Sequence, residues 1–569
     1  MRSIGHRLTP ALALAAVLTT STALGWAGEI AGELRDAMER NPEASTRVIV
    51  QYRRGAGERH RALVRSRGGR LEHDLSIVRS DAYTLPAGDI AELANDPEVE
   101  SVVPDRTVHA MLDYAEPTIN ANTAFQSGYD GRGIGVAIID SGIMDHPDLH
   151  DASGASRVVY NQNFVPNIGN DYFDRFGHGT HVAGIVGGSA AMSNGSQYTH
   201  TFRGIAPAVK LINLRVLDRN GVGTDSAVIA AIQTAIQLKN TYNIRVINLS
   251  LGRPVAGSYT KDPLCQAVEQ AWKAGIVVVV AAGNEGRNNS AGTNGYGTIT
   301  APGNDPYAIT VGAMKDMKTT SRNDDQLASY SSKGPTLLDH VAKPDLVAPG
   351  NRIISSLPWG LTLTNSYPAN ETPDTYYIRN GDASQSPYYF TLSGTSMATP
   401  MVSGAAALLL QKTPTLTPDT VKARLMKTAS KGFPASSIAT DPVTHQTYTD
   451  YYDLFSVGAG YLDVWAALNN TDTLPSGANA LSPTVTWNST THQATLVNAP
   501  KSVWNTAILW GTAIVWGTNI VSGQTAINSS AIVWGTSSTS GFAIIWGNAI
   551  VWGTGTPAGE TTNVAIYGE

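Results

Sequence analysis

The sequence predicts an α/β protein in which helices cover both faces of a parallel sheet. In the central part of the chain, short runs of β-branched residues alternate with segments of helical periodicity, which is typical of such sheets. Of the 569 residues, 42% are hydrophobic and only 15% are charged, and this composition favours a large buried core over bulk disorder. Several modules are expected at this length, so smaller units should accompany the sheet.

Four strands and one helix define the expected sheet. The candidate strands are Ile134–Asp140, Leu211–Val216, Arg245–Ser250 and Ile276–Ala281. The helix carries Val228, Ile232, Ala235 and Ile236 at helical spacing, and these side chains should face the sheet. Asp140, Ser250 and the block 281–284 fall at the C-terminal ends of strands, where open parallel sheets place their sites. We therefore expect a single cleft at that edge.

Three short blocks, each with glycine within two residues of the polar residue, supply an acid, an imidazole and a hydroxyl. Asp140 lies in Val-Ala-Ile-Ile-Asp-Ser-Gly, His178 in Gly-His-Gly-Thr-His, and Ser396 in Gly-Thr-Ser-Met-Ala-Thr-Pro. A serine hydroxyl is a poor nucleophile until a base takes its proton, and that base needs an acid to orient it. We expect Ser396 to be the nucleophile, His178 the general base and then acid, and Asp140 the orienting carboxylate.

The residues around Ser396 predict a helix that begins beside it. Proline is tolerated in a first helical turn, so Pro400 puts Ser396 at a helix N-terminus. Backbone N–H groups there favour the negative charge of a tetrahedral intermediate. Gly394 leaves room for a substrate backbone to approach.

These blocks, with Ser-Leu-Gly at 250–252 and Ala-Ala-Gly-Asn-Glu-Gly at 281–286, resemble the subtilisin-like serine proteases (subtilases) over roughly residues 120–468. The resemblance implies a three-layer α/β/α peptidase domain at 112–468 that hydrolyses peptide bonds through an acyl-enzyme on Ser396. It implies no cofactor for the chemistry. It also implies that the Asn284 side-chain amide donates to the oxyanion together with the Ser396 backbone N–H.

The same resemblance implies a set of substrate contacts for protein or peptide substrates. Two segments would flank an extended peptide, and Glu285 would lie near the rim of its first pocket. The residues concerned are Gly221, Gly223, Ser250, Leu251, Gly252, Gly283 and Glu285. Backbone pairing tolerates many side chains, so broad specificity is expected, with Glu285 favouring a basic or polar group.

Two metal hypotheses arise from the motifs. His181 follows His178 by three residues, but no Glu or Cys set accompanies the pair, and His181 resembles a structural histidine of the family. Asp148, in His-Pro-Asp-Leu, resembles a calcium ligand of many subtilases. Its usual partners would come from the loop 190–201, which offers Asn194 and Ser196 without a clean match. Calcium as a structural ion therefore stays open.

Residues 1–27 have the pattern of a secretory signal peptide. Arg2 and Arg7 precede the apolar run Ala11 to Leu18, and small residues near Ala27 could end the signal. The apolar run is too short for a membrane span. A secreted, extracellular protein is expected.

Residues 44–110 predict a small α+β module, in the order strand, helix, strand, helix, strand. The order resembles the inhibitor propeptide of subtilases. The resemblance implies that the module assists folding, occupies the cleft as an intramolecular inhibitor, and is removed autocatalytically near Val108 to Met111. A permanent N-terminal domain is the alternative.

The region between Pro349 and Thr391 departs from the compact family pattern. It is rich in tyrosine, asparagine, threonine and serine and includes Trp359, and we expect an inserted loop. Surface decoration and a wall of the substrate cleft are the two alternatives, since the loop ends just before Ser396.

A linker at 469–503 should lead to a β-rich tail at 504–556. Six tryptophans between Trp504 and Trp552 are spaced by multiples of six, so a hexad close to Gly-Thr-Ala-Ile-Val-Trp persists. An even period keeps each strand position on one face. A free tail of this apolar composition would aggregate. We therefore expect the tail to pack on itself, on the enzyme or on another surface, for example the cell surface. A solvated spacer is the alternative.

Composition limits the remaining possibilities. A net charge of −6 and a pI near 6.1 give no basic footprint for nucleic acid. Cys265 is the sole cysteine, so no intramolecular disulfide can form, and we expect it to be a small buried hydrophobe. An active, self-processing endopeptidase competes with a binding protein on a protease scaffold and with an esterase or ligase. The presence of all four catalytic candidates favours the first.

Overall fold

The structure, a computed structural model, describes most of the chain. The described residues are 28–30, 32–55, 57–75, 79–104, 115–290, 292–434, 436–441, 444–488, 493–503, 526–528, 566 and 568–569. The chain divides into two units, Met1–His109 and Ala110–Glu569. The signal peptide at 1–27, the processing site near 108–111 and nearly all of the hexad repeat at 504–556 lie outside the described residues.

The first unit is a five-stranded sheet with helices. Its strands are β1 (Glu29–Ile30), β2 (Ser45–Tyr52), β3 (Arg70–Leu75), β4 (Ser80–Pro86) and β5 (Val99–Pro104). Its helices are α1 (Gly32–Arg40), α2 (Glu58–Ser66) and α3 (Ile90–Ala94), the last preceded by a 3-10 turn at Ala87–Asp89. The order is β1-β5-β2-β4-β3, with β1 parallel to β5 and the other pairs antiparallel.

The core of this unit follows from the alternation of its strands. Val48, Val50 and Tyr52 occupy alternate positions of β2 and are fully buried, so one face of the sheet packs on the apolar side chains of the helices. The predicted order of elements within 44–110 is present. The unit starts earlier than residue 44, because β1 pairs with β5, and β3 was not predicted.

The second unit is built on an eight-stranded sheet. Its strands are β6 (Gly135–Asp140), β7 (Val158–Asn163), β8 (Lys210–Arg215), β9 (Ile244–Leu249), β10 (Val277–Ala281), β11 (Ile309–Lys315), β12 (Gln326–Leu327) and β13 (Leu346–Pro349). The order is β12-β11-β10-β9-β6-β8-β7, with β13 also paired to β11. All pairs are parallel except β11 with β12. The four predicted strands are present to within one residue at each end.

Smaller strands and eleven helices complete the described part of this unit. The strands are β14 (Ile353–Ser356), β15 (Glu371–Pro373), β16 (Gln385–Leu392), β17 (Ser436–Thr440), β18 (Thr447–Tyr451), β19 (Thr484–Asn488), β20 (Gln493–Val497) and β21 (Ala526–Asn528). The helices are α4 (Ala115–Thr118), α5 (Ala121–Gln126), α6 (His178–Gly187), α7 (Asp225–Tyr242), α8 (Pro263–Lys273), α9 (Thr362–Ser366), α10 (Asp374–Tyr377), α11 (Thr395–Lys412), α12 (Pro418–Thr428), α13 (Leu454–Val457) and α14 (Val464–Asn469). Two 3-10 turns lie at Pro147–Leu149 and Pro368–Asn370.

Helices cover both faces of the sheet in a three-layer α/β/α arrangement. α7 and α8 pack together, against β6, β9 and β10, while α11 packs along β9, β10 and β11 beside α6. The predicted face of α7 is confirmed, because Val228, Ile232 and Ala235 are buried and Ile236 is half-buried. β10 is buried along its whole length, as expected for a central parallel strand.

The region 349–391, predicted to be a loop, is instead a folded antiparallel sheet of order β14-β16-β15. Its aromatic residues are its core. Tyr377 and Tyr389 are fully buried against Phe202, and this contact ties the insert to the loop that follows α6. Buried aromatic area stabilises so small a sheet, and composition alone did not reveal this.

The predicted linker at 469–503 is also wrong. Its described residues pack on the second unit, where Ala480, Val485 and Val503 are buried with Met426 and Phe455. β19 and β20 form an antiparallel pair. Widely spaced apolar side chains between polar ones carry this packing, and a composition average conceals them.

Candidate active site

Asp140 and His178 form a hydrogen-bonded pair at the C-terminal edge of the central sheet. Asp140 ends β6 and His178 begins α6, and His178 Nδ1 donates to Asp140 Oδ1 at 2.8 Å. Asp140 is fully buried, and its Oδ1 also accepts from the Ser141 N–H at 2.7 Å. This bond fixes the neutral imidazole with its proton on Nδ1, which leaves Nε2 as the base.

The electrostatics of His178 suit a general base. Burial lowers its pKa, but the charge of Asp140, the hydrogen bond that His178 donates to that carboxylate and the charge of Asp174 together raise the pKa above its ordinary value of 6.5. His178 is 15% exposed, so the ring is sheltered yet open on one side.

Asp174 supports the position of His178 and was not identified from the sequence. Its fully buried carboxylate accepts from the N–H groups of Gly177 and Thr180 at 2.7 and 2.9 Å, so it caps the first turn of α6. It also accepts from the hydroxyls of Thr180 and Ser141 at 2.7 and 2.9 Å. Burial raises its pKa above the ordinary value despite these bonds. An aspartate four residues before the histidine was the available signal.

Ser396 lies in the first turn of α11, as predicted, but Pro400 does not lie in that turn. The helix begins at Thr395, so Pro400 lies in the second turn rather than the first. Pro400 has no N–H for the carbonyl of Ser396, and Ser250 Oγ donates to that carbonyl oxygen at 2.8 Å instead. A hydroxyl from the end of β9 therefore satisfies the group that the proline leaves free.

The Ser396 hydroxyl donates to the Ser250 carbonyl oxygen at 3.2 Å. No hydrogen bond joins it to His178 among the described residues. Catalytic hydrogen bonds are often long or absent until substrate is bound. Ser396 and Ser250 are thus held by reciprocal contacts at the end of β9.

Asn284 lies beside the start of α11. Its Oδ1 accepts from the N–H and the hydroxyl of Thr395 at 2.9 and 3.0 Å, which directs Nδ2 towards Gly394. A Cβ on Gly394 would lie 3.1 Å from Nδ2, and the residue has a φ of +142°. Glycine at 394 therefore keeps an amide donor open next to Ser396.

The proposed substrate segments border this edge of the sheet. Gly221 and Gly223 form a tight turn after β8, in which Val222 is 64% exposed. Gly221 has a φ of +76°, and a Cβ there would lie 2.7 Å from the Phe176 ring. Phe176 lies two residues before His178, so the turn is next to the base.

The segment 250–252 and the block at 283–285 continue the border. Gly252 precedes an antiparallel bridge between Arg253 and Ala301, and Leu251 is half-buried. Gly283 has a φ of +108° and donates its N–H to Thr395 Oγ1 at 3.2 Å. The N–H of Glu285 donates to Ser332 Oγ at 3.1 Å.

The insert contacts the residues that lead to His178. The N–H groups of Thr362 and Leu363 in α9 donate to the carbonyl oxygens of Arg175 and Phe176 at 3.1 and 3.0 Å. Thr362 Oγ1 also donates to the Arg219 carbonyl oxygen at 2.9 Å, beside the glycine turn. These contacts favour the cleft-wall interpretation over surface decoration.

His181 is a structural residue, as the family resemblance implied. Its Nε2 donates to the carbonyl oxygens of Ile353 and Phe390 at 3.1 and 3.0 Å, and burial lowers its pKa to about 3. A ring that donates in this way has its nitrogen occupied and offers no lone pair there to a metal. Cys265 is likewise buried, and burial raises its pKa above the ordinary value.

The residues around Asp148 do not fit the predicted calcium site. The carboxylate accepts from the Met192 N–H at 2.9 Å, from the Tyr389 hydroxyl at 2.7 Å and from the Ser356 hydroxyl at 3.2 Å. The Arg157 guanidinium donates to the Asp148 carbonyl oxygen at 2.7 Å. Calcium needs several oxygen acceptors, whereas these partners are donors and a cation. Asn194 and Ser196 are exposed.

Comparisons with known proteins agree with this geometry. The sequence profile of the subtilase family matches residues 131–460. Serine protease AprX of Bacillus subtilis (strain 168) is 37% identical over 400 residues, which cover 68% of this chain and 83% of the relative. Subtilisin E of the same organism is 36% identical over 372 residues, 65% of this chain and 80% of the relative. A thermostable alkaline protease of Halalkalibacterium halodurans is 31% identical over 360 residues, 63% of this chain and 80% of the relative.

Proposed function

The chain belongs to the subtilase family and is a subtilisin-like serine endopeptidase, and on that premise we propose that it is exported as a zymogen and processes itself. The observation that carries the assignment of roles is the buried Asp140–His178 pair, since helix α6, which begins at His178, packs against helix α11, which carries Ser396 in its first turn. The chemistry uses side chains of this chain and needs no cofactor.

The proposed reaction follows acyl transfer in two steps. Ser396 Oγ leaves the Ser250 carbonyl, gives its proton to His178 Nε2 and bonds to the scissile carbonyl carbon. Asn284 Nδ2 and the Ser396 backbone N–H hold the oxyanion. His178 passes the proton to the leaving amine as the C–N bond breaks. Water then attacks the acyl carbon with His178 again taking the proton, and His178 returns that proton to Ser396 Oγ as the ester C–O bond breaks. Asp140 stabilises the imidazolium throughout.

The substrate would lie as an extended peptide between two segments. The Gly221–Gly223 turn and the Ser250–Gly252 segment are the proposed backbone partners, with Gly283 and Glu285 at the first pocket. Side-chain specificity is then broad, because backbone pairing supplies much of the binding.

The first unit is the proposed propeptide and intramolecular inhibitor. It has its own sheet and its own core, which supports a separately folding module. The boundary between the two units, at 109 and 110, falls inside the proposed processing window of 108–111. The described residues of 473–503 pack in the core of the second unit, which supports a peptidase unit that extends beyond 468.

Export is proposed from the pattern at residues 1–27, and surface association from the hexad repeat at 504–556. Among the described residues, none of the helices has the length and apolar character that crossing a membrane requires.

The deciding experiment expresses the chain from residue 28 as wild type, as Ser396→Ala and as the exposed-serine control Ser384→Ala. Intact mass and peptide release from casein are followed over time. Wild type and the control should lose the residues before the bond near 108–111 and digest casein. Ser396→Ala should do neither, with activity lower by about 10⁴-fold or more.

A Ser396→Ala protein that is processed at the wild-type rate would contradict self-processing. A wild-type protein that is folded but inert towards casein would contradict the assigned roles.

A further inference from the structure

The last residues of the sequence lie in a pocket of the second unit, outside the family match at 131–460. Ile566 is 2% exposed, and its carbonyl oxygen accepts a hydrogen bond from Asn370 Nδ2. The side chain of Glu569 is also only 2% exposed. A buried carboxylate is costly unless charges and donors surround it, so the pocket must be built for an acid.

Two cations and one serine supply that environment. Arg287 Nη2 lies 2.7 Å from Glu569 Oε1, and Lys315 Nζ lies 2.8 Å from Oε2. Ser329 donates to Oε1 through its N–H at 3.0 Å and also through its hydroxyl. The side chains of Arg287 and Lys315 are themselves 4% and 8% exposed, so these pairs are weakly screened by solvent.

The charge state agrees with this geometry. Burial raises the pKa of Glu569, but Lys315, Ser329 and Arg287 together hold the pKa below its ordinary value. Glu569 is therefore ionised at neutral pH, as two flanking cations require.

The pocket also binds the backbone of the segment. Asn351 Nδ2 donates to the Glu569 carbonyl oxygen at 2.9 Å, and the Glu569 N–H donates to Asn351 Oδ1 at 2.9 Å. Gly568 has a φ of +61°, and a Cβ there would lie 2.8 Å from Asn351 Oδ1 and against Ser393 Oγ. The pocket thus accepts a glycine followed by a glutamate, and larger side chains before the glutamate would clash.

Two of the pocket residues are on segments next to the active site. Arg287 follows Asn284 by three residues, and Asn351 lies between two contacts to the segment before Ser396. In those contacts the Gly394 N–H donates to the Gly350 carbonyl oxygen at 2.8 Å, and the Arg352 N–H donates to Ser393 Oγ at 2.8 Å. We call Arg287, Lys315, Ser329 and Asn351 the Gly-Glu pocket.

We propose that the Gly-Glu pocket is a binding site for a short acidic peptide motif, and that its occupant is residues 566–569 of this chain. Val503 is buried in the same unit, so the chain is held on both sides of residues 504–565. The occupied pocket also braces the segment that follows Asn284 and the segment that precedes Ser396. The binding does not depend on the proposed function, since it can be measured in an inactive protein.

The test uses the full chain with Ser396→Ala, so that it cannot digest itself, and a site-specific protease sequence inserted after Gly555. After cleavage, the fraction of the fragment 556–569 that elutes with the rest of the protein on size exclusion is measured. The fragment should remain bound, and Glu569→Gln or Lys315→Gln should lower the bound fraction at least about tenfold. Glu569→Gln leaves the buried Lys315 charge without its carboxylate, and Lys315→Gln removes one of the two cations beside the Glu569 carboxylate. Glu560→Gln and Lys318→Gln are matched controls that should not change it.

Separation of the unaltered fragment, or equal retention of the Glu569→Gln fragment, would overturn the proposal. Glu569→Gln leaves every pocket residue in place, so its effect is distinct from a folding defect caused by Lys315→Gln. Loss of retention in the two controls as well would show binding by general charge and would also overturn the proposal.

Discussion

Two buried carboxylates, those of Asp140 and Asp174, act on His178 in different ways. Asp140 bonds to its Nδ1 and raises its pKa, while Asp174 caps the helix on which it lies. The sequence was sufficient to identify Asp140, because its motif has a fixed place at the end of a strand. Asp174 lies in an irregular segment, and only the folded chain shows that five hydrogen bonds converge on its carboxylate.

The raised pKa of His178 predicts the acid limb of the activity profile. Catalysis needs the neutral base, so kcat/KM for a peptide substrate should fall as pH drops through a midpoint above 6.5. Asp140→Asn should lower that midpoint, because the carboxylate charge is what raises the pKa against burial. The titration midpoint of the His178 ring, with Asp140 or with Asn at 140, is best measured by NMR in a Ser396→Ala background.

A wild-type midpoint at or below 6.5, or an unchanged midpoint in Asp140→Asn, would contradict this account. The Asp140–His178 pair affects the stability of the fold with the opposite pH dependence. Because the pKa is raised on folding, the contribution of His178 is fully present below the unfolded pKa and is lost as pH rises through the folded pKa.

Helix α11 shows how an element with an unfavourable residue is accommodated. Its eighteen residues include Pro400 in the second turn, and fifteen of its positions are buried. The helix persists because Ser250, from β9, donates to the carbonyl that proline leaves free. The sequence predicts the start of the helix correctly but places the proline in the wrong turn. The hydroxyl that allows the proline in the second turn comes from 146 residues away, so no local pattern reveals it.

A double-mutant cycle tests this compensation. Ser250→Ala should lower the free energy of unfolding by about 1–3 kcal/mol, because the partly buried carbonyl of Ser396 loses its donor. In a Pro400→Ala background the loss should be smaller, since the alanine N–H can bond to that carbonyl. Urea unfolding in a Ser396→Ala protein measures all four corners. Equal losses in the two backgrounds would show that the hydroxyl does not replace the missing N–H.

At the scale of the whole unit, a buried charge network joins elements distant in sequence. Asp345, just before β13, lies 2.7 Å from Lys343 Nζ and 3.1 Å from Lys422 Nζ in α12, and all three side chains are fully buried. Lys422 also donates to the Pro306 carbonyl oxygen and to Ser482 Oγ at 2.9 Å. The segment predicted to be a linker therefore takes part in the core through Ser482.

Burial lowers the pKa of Lys422 to about 7 from its ordinary value of 10.5. Between these two values the unfolded chain binds the extra proton, so stability from this site should rise with pH from about 7 to 10. Lys422→Met removes the effect. Relative to Lys422→Met, the wild type should therefore gain free energy of unfolding between pH 6 and pH 9.5, by up to about 3 kcal/mol. The gain should appear as a larger difference in thermal midpoint at pH 9.5.

Differential scanning calorimetry of both proteins in a Ser396→Ala background measures this difference. Lys427→Met, at a partly exposed lysine of the same helix, is the matched control and should show no such pH dependence. A difference that is constant with pH would mean that Lys422 titrates alike in the folded and unfolded states.

The sequence by itself determined the fold class and, through its resemblance to a family, the reaction class, and it supplied four catalytic candidates. These depend on local patterns, namely β-branched runs, helical spacing and short motifs at strand ends, whose physics is confined to neighbouring residues. The four predicted strands and the buried face of α7 show how far such patterns reach.

Tertiary structure alone decided the rest. The insert at 349–391 became a sheet because its tyrosines pack on a loop that follows α6, and the segment 473–503 joined the core through side chains from distant elements. The carboxylate of Asp148 receives donors from three separate parts of the chain, which the motif around it does not reveal. The Gly-Glu pocket brings Glu569 into contact with residues up to 282 positions away in the sequence. Each of these outcomes depends on which groups meet after folding, and no local pattern encodes that.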